Sequence, residues 1–323
     1  MKKTLIFTLL LSVLLVPLAF AAGGQEGGGA GAKQLVIGFS QIDNQNPWRL
    51  AETESVKSEA ANRGYELKYS DAQAVQENQI KALRSFIAQK VDGILLAPKT
   101  ETGWEPVLRE AKAAKIPVVL LDRNIKVDDP SLFVTFIGSD FFLEGQMAAE
   151  QMIKDLGEGP LNIAELQGQP GADPTIQRAN GFRDVIDKYP KINIILSQTG
   201  EFNRIQGKQV MEAFMKAKGK DIDVVYAHND DMAIGAIQAI KEYGLDPGKD
   251  IYLLSVDAVR DAFEAMVAGD LNCTVECTPL LGPKGFDAIE AALRGETLPK
   301  WIKSDDHVFP MAVAKDVIAD RKY

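Results

Sequence analysis

Polar and aromatic residues gather where the apolar runs of this chain end. Asn46, Trp48 and Arg49 follow the run 34–40, Asp122 and Arg123 follow 117–121, and Asn229 follows 222–227. Asp257 follows 250–256, and Glu276 ends the run 271–276. Carboxylates and amides accept from paired hydroxyls, arginine donates through a rigid fork, and a flat ring covers an apolar C–H face. Gathered at one sheet edge, such groups suit a compact ligand rich in hydroxyls.

Each residue also has a plainer reading. Asp122 and Arg123 can be a structural ion pair, and Trp48 can cap the core. Asp230 and Asp231 fit the start of a helix, where negative charge is favoured. His228 fits a local hydrogen bond rather than proton transfer, and Trp104 and Glu105 read as helix surface. A paired-carboxylate glycosidase built on Asp122 and Asp257 is the enzymatic alternative. Against it, an arginine beside each carboxylate would keep it ionised, and no Gly-x-Ser-x-Gly elbow or His-Glu-x-x-His helix occurs. The chain therefore reads as non-enzymatic.

The elements behind these residues alternate. Strands are expected at 34–40, 65–69, 92–97, 117–121, 133–138, 161–166, 192–198, 222–227, 250–256 and 271–276. Helical spacing fills most gaps, as in Ile80, Leu83 and Ile87 or Met232, Ala236 and Ile240. That rhythm predicts an α/β fold of parallel sheets covered by helices. Pro47 suits a first helical turn, Gly64 and Gly244 suit helix ends, and Ser139-Asp140 offers a cap. The segments 91–98 and 116–123 echo 222–229 and 250–257, which places Asp122 and Asp257 at the same point of two similar halves, where open sheets bind ligands.

The N-terminus has the order of a secretory signal peptide: Lys2-Lys3, an apolar run, then small residues, with cleavage expected near Ala22. Residues 22–33 are glycine-rich and read as a linker; they lack the strand, helix and Gly-Lys-Ser/Thr ending of a phosphate loop. About 290 residues remain, enough for two lobes. Cys273 and Cys277 lie about 13 Å apart in an extended strand, too far for a disulfide, and read as small apolar fillers. With His228 and His307 far apart, no metal or other cofactor is expected. The net charge of −9 and the lack of a basic tract argue against nucleic acid.

Certain strings make the chain specific. "NPW", "LLDR", "QRANGF", "EFNR", "AHNDDMAIGAIQAI" and "SVDA", in this order, resemble the periplasmic sugar-binding proteins of the ribose type (type I). "IGFSQ", "ELQG" and "IPVVLLDR" further resemble the galactofuranose binders of bacterial ABC transporters. The similarity runs along nearly the whole mature chain. It implies a periplasmic binding protein-like type I fold: two doubly wound parallel-sheet lobes joined by a three-segment hinge.

The resemblance implies that Asn46 and Arg49 bind sugar hydroxyls while Trp48 stacks on the ring, with Asp122 and Arg123 at the next strand edge. Arg178 and Phe202 would close from the second lobe, Asn229 and Asp257 would complete the polar ring, and Glu276 would reach in from a hinge strand. Ribose-type relatives carry two aromatics where this chain has Trp48-Arg49, and often an amide where it has Glu276; both speak against plain ribose. The implied divisions are signal peptide 1–21, linker 22–33, N-terminal lobe 34–138 with 277–303, and C-terminal lobe 139–276 with 304–323. The implied role is that of a monomeric periplasmic receptor delivering a monosaccharide, galactofuranose or a related galactose- or pentose-type sugar, to an inner-membrane ABC permease. A sensory receptor of the same fold is the alternative, whereas a repressor would need a helix-turn-helix where the signal peptide stands.

Overall fold

The computed structural model describes residues 34–323; the signal peptide and linker expected over 1–21 and 22–33 lie outside them. The first strands and helices are β1 (Val36–Gln41), α1 (Pro47–Asn62), β2 (Glu66–Asp71), α2 (Gln76–Ala88), β3 (Gly93–Leu96), α3 (Glu105–Ala113), β4 (Val118–Leu121) and β5 (Phe136–Gly138). Then come α4 (Phe141–Leu156), β6 (Leu161–Gln167), α5 (Asp173–Ile186), β7 (Ile192–Thr199), α6 (Arg204–Ala217), β8 (Val224–Ala227), α7 (Asp230–Tyr243), β9 (Tyr252–Asp257), α8 (Arg260–Ala268) and β10 (Cys273–Glu276). The chain ends with α9 (Gly282–Leu293), β11 (Trp301–Lys303), β12 (Val308–Pro310) and α10 (Ala314–Val317).

Two six-stranded sheets result, in the orders β11-β5-β4-β3-β1-β2 and β12-β10-β9-β8-β6-β7. Among the described residues only the pairing of β10 with β12 is antiparallel. The orders correspond position for position, so β1 matches β6 and β4 matches β9. The central strands β3, β4, β8 and β9 are buried along their whole length, as sheets covered on both faces require. Every expected run overlaps a strand, several of which extend one or two residues further; β11 and β12, of three residues each, are too short to carry a periodic signal.

Local chemistry sets the helix ends at the carboxyl edge. Asn46 and Asn229 cap α1 and α7, their side-chain oxygens accepting from Arg49 and Met232 N–H at 2.8 and 3.0 Å. Asp140 caps α4 in the same way, and Gly244 ends α7 with φ of 93°. Close packing of α4 on α5 depends on Gly145 and Gly181, where a Cβ would run into Arg178 and Phe142 carbonyl oxygens. That approach brings Glu144 against Arg178.

Trp104 departs from the expected helix surface. It precedes α3, so its indole turns inward rather than along the helix face; it is fully buried and donates to the Thr100 carbonyl at 2.6 Å.

Candidate functional site

At the start of α1, the Asn46 cap and Pro47 fix the turn that aims Trp48 and Arg49 at the carboxyl edge of the first sheet. Arg49 is held at both ends of its fork, by Glu52 at 2.7 Å and by Asp122 at 2.5 Å. Burial opposes its charge, but Asp122, Glu52 and Asp43 outweigh burial and hold the guanidinium protonated. The same guanidinium covers one face of the Trp48 ring, 4.6 Å from its centroid. The Trp48 indole N–H donates to the Cys277 carbonyl at 2.6 Å, so the side chain is both an anchor and a wall of the site.

The second sheet repeats the device. Arg178, on the helix after β6 as Arg49 is on the helix after β1, donates to Glu144 at 2.7 Å and to the His228 carbonyl at 2.5 Å. Its remaining nitrogen lies 3.5 Å from Asp257. Burial pushes Glu52 and Glu144 above the usual carboxylate range, and one oxygen of each has no partner. Burial also pushes Asp257 well up, and Arg178 opposes that rise. His228 meets Glu165 across 3.1 Å, a partner 63 residues away rather than a local one, and burial lowers its pKa.

Between the two arginine systems stands Phe202, flanked by Arg123 and Arg178 at 5.4 and 6.0 Å. Its φ of 57° and the bare Cα of Gly168, where a Cβ would overlap the ring, allow it there. Arg123 donates to the Lys99 carbonyl at 2.9 Å and to Gln169 at 3.1 Å. Burial, then the neighbouring charge of Arg49, lowers its pKa to about 10, and its buried Nε makes no hydrogen bond but lies 3.5 Å from the Asp122 carboxylate.

These side chains enclose a cleft of about 320 Å³, counting the part open to solvent. Asn46, Trp48, Arg49, Asp122, Arg123, Arg178, Phe202, Asn229 and Asp257 all line it, joined by Pro174 and Cys277, which gave no polar signal in the sequence. Loops from the two sheets meet over it: Glu101 N–H donates to the Gly171 carbonyl at 3.1 Å and Asn124 N–H to the Asp173 carboxylate at 3.3 Å. Among the described residues no His, Cys, Asp or Glu cluster could hold a metal ion.

Glu276 lies outside the lining. It is in register with Asp257, as its strand end led one to expect, but its carboxylate accepts from Arg321 at 2.8 Å and Tyr323 at 3.1 Å and meets His307 at 3.0 Å. Asp230 and Asp231 likewise have partners beyond their helix. Asp230 accepts from Thr274 and Val259 at 2.8 Å each and from Ser255, whereas Asp231 pairs with Arg204.

The cleft presents forked donors and carboxylates from two matching sheets, with a ring at its wall. Residues 37–297 match the periplasmic binding protein domain. The chain belongs to that family. Its parallel sheets flanked by helices are the type I architecture of periplasmic binding proteins. It is 52% identical over 83% of its length to the galactofuranose-binding protein of Escherichia coli, 85% of which is covered. The binding protein of the arabinose ABC transporter from Shewanella sp. ANA-3, solved with α- and β-L-arabinofuranose, superposes with a TM-score of 0.87 at 53% identity, covering 89% of this chain and 95% of that one. A Mycobacterium smegmatis protein solved with β-D-fucofuranose gives 0.87 at 46% identity, with coverages of 90% and 95%. The named relatives are binding proteins, one of them the component of an ABC transporter, and a member of this family is accordingly a binding protein rather than an enzyme.

Proposed function

We propose that this protein is the solute-binding component of a sugar ABC importer and takes a furanose of the galactofuranose and L-arabinofuranose type into its cleft. The observation that carries the reading is the lining of the cleft, where the guanidinium forks of Arg49, Arg123 and Arg178 stand beside the Asp122 and Asp257 carboxylates, with Trp48 and Phe202 among them. Each sugar hydroxyl both donates and accepts, so it suits a place between an arginine and an aspartate. The sugars named for the three relatives share one ring configuration at C2, C3 and C4 and differ in the arm beyond C4. A site recognising that ring serves all three.

Asn46, Arg49, Asp122, Arg123, Arg178, Asn229 and Asp257 are assigned to the hydroxyls, and Trp48 and Phe202 to the ring faces. Two lobes, 34–138 with 277–303 and 139–276 with 304–323, hinge near 138–140, 274–278 and 303–307. Sheet membership supports this division, since β11 joins the first sheet and β12 the second. Because residues from both lobes contact the sugar only in the shut state, binding selects closure, and closure is the signal read by a membrane permease. Export by the segment 1–21, a periplasmic location and a monomeric receptor complete the reading.

A calorimetric screen of D-galactose, L-arabinose, D-fucose, D-ribose and D-glucose tests it. One-to-one binding of the first three in preference to ribose and glucose is expected. No heat with any of them refutes the sugar assignment.

A further inference from the structure

The sugar cleft opens on one side into a second chamber of about 920 Å³, counting its open part. The two spaces share Asn46, Arg49, Arg123 and Phe202 and adjoin at those residues. Arg123, only 4% exposed, stands at the junction.

The outer walls repeat the composition of the inner ones. Gln45 comes from the loop before α1, and Glu201 and Asn203 from the loop before α6. The exposed Gln45 side chain lines the chamber. Arg204 is fixed at the far wall by Asp231 and Asp261, at 2.7 Å each, as a rigid donor. Two apolar surfaces complete the chamber, Pro47 from one side and Ile205 from the other. Ile205 is 69% exposed, more than any other large apolar side chain among the described residues. An aliphatic plate beside amides and a forked donor is what the two faces of a sugar ring require.

We propose that this chamber is a subsite for a second sugar residue, so that the protein binds furanosyl disaccharides as well as the free furanose. The proposal rests on the furanose reading above and extends it. The inner cleft reads the furanose ring; the outer chamber takes the glycosidically linked residue against Ile205 and Pro47, with Gln45 and Arg204 on its hydroxyls. Being partly open, it strips less water from its ligand than the inner cleft does, so its groups add selectivity with a smaller desolvation cost.

The test is calorimetry on the mature chain with D-galactose and with galactofuranosyl-(1→5)- and (1→6)-galactofuranose. At least one disaccharide is expected to bind one-to-one within about tenfold of the monosaccharide. Ile205→Asp and Gln45→Ala, which lie outside the inner cleft, are expected to weaken that disaccharide about tenfold and the monosaccharide less than about twofold. Monosaccharide binding with both disaccharides rejected overturns the subsite and leaves the furanose reading intact. Equal losses for both ligands in the variants overturn it as well. Failure of every ligand to bind overturns the furanose reading and the subsite together.

Discussion

Asp122 and Asp257 hold the same station in the two sheets: each closes the fourth strand of its sheet, and each has positive φ, 63° and 122°. Each faces an arginine from the helix after the first strand, Arg49 at 2.5 Å and Arg178 at 3.5 Å. The turn at Asp257 is tied down from below, where Val259 N–H donates to Asp230 at 2.8 Å and Ala258 N–H to Thr274 at 3.1 Å. Asp230, pushed up to about 7 by burial, thus braces the backbone that presents Asp257. Positive φ at a residue with a Cβ costs about 1–3 kcal/mol, and its recurrence at matching ligand-facing positions marks strain kept for function.

Asp257→Gly removes that strain, and Arg178 keeps Glu144 and the His228 carbonyl as partners. The sugar-free protein is expected to gain about 1 kcal/mol of stability, while sugar affinity falls about a hundredfold, ~3 kcal/mol. Asp122→Gly leaves both Arg49 and Arg123 short of a carboxylate and is expected to destabilise instead. Thermal denaturation and titration calorimetry read both effects. A stability loss in Asp257→Gly counts against stored strain.

Gly168→Ala is expected to expel the Phe202 ring, because the new methyl group takes its place. Overpacking of this kind costs about 1–3 kcal/mol, and sugar affinity should drop at least about tenfold as the ring leaves the cleft. Adding Phe202→Leu should restore stability but not affinity. Recovery of both would mean that the aromatic face is dispensable.

How much of this was legible in the sequence depends on the kind of contact. The sheet edge was readable because strand periodicity and helix caps are local, and residues just past an apolar run fall at one edge of a parallel sheet. Arg178 and Phe202 were found through the motifs "QRANGF" and "EFNR" rather than from their spacing. Glu52 and Glu144 were not found: each acts through an arginine, and Glu144 reaches its partner only because Gly145 and Gly181 let two helices touch. The partners of Glu276, Arg321 and Tyr323, return from the far end of the chain, a contact that no local pattern announces.

Glu276→Ala separates the two roles considered for this residue. It leaves the Arg321 guanidinium, 9% exposed, with the Ala258 carbonyl as its remaining partner. A stability loss of about 2–3 kcal/mol is expected, below the ~3–5 kcal/mol for breaking a fully buried pair because water reaches this one. Sugar affinity should stay within about threefold. An affinity loss above about thirtyfold with unchanged stability would instead place the carboxylate on the sugar.

The contact of Asp173 with Asn124 N–H across the cleft gives closure a pH dependence. Burial pushes Asp173 up to about 6 from an ordinary 3.8; Glu101 and Asp122 add to the rise, and the Asn124 N–H opposes it. Arg123 and Lys126 also lie on the facing loop, Lys126 being held by Glu101 at 2.5 Å. Opening the cleft returns the carboxyl to water and to its ordinary range. The closed state therefore takes up a proton more readily than the open one, so it gains on the open state as pH falls through 6, with no further gain below 3.8. Sugar affinity is expected to rise about tenfold between pH 7 and pH 5. Asp173→Asn, which keeps an acceptor for Asn124 but cannot titrate, should flatten that part of the profile. Calorimetric Kd values across this window in both proteins decide the matter: a flat or falling native profile, or an unchanged slope in the variant, removes Asp173 from the control of closure.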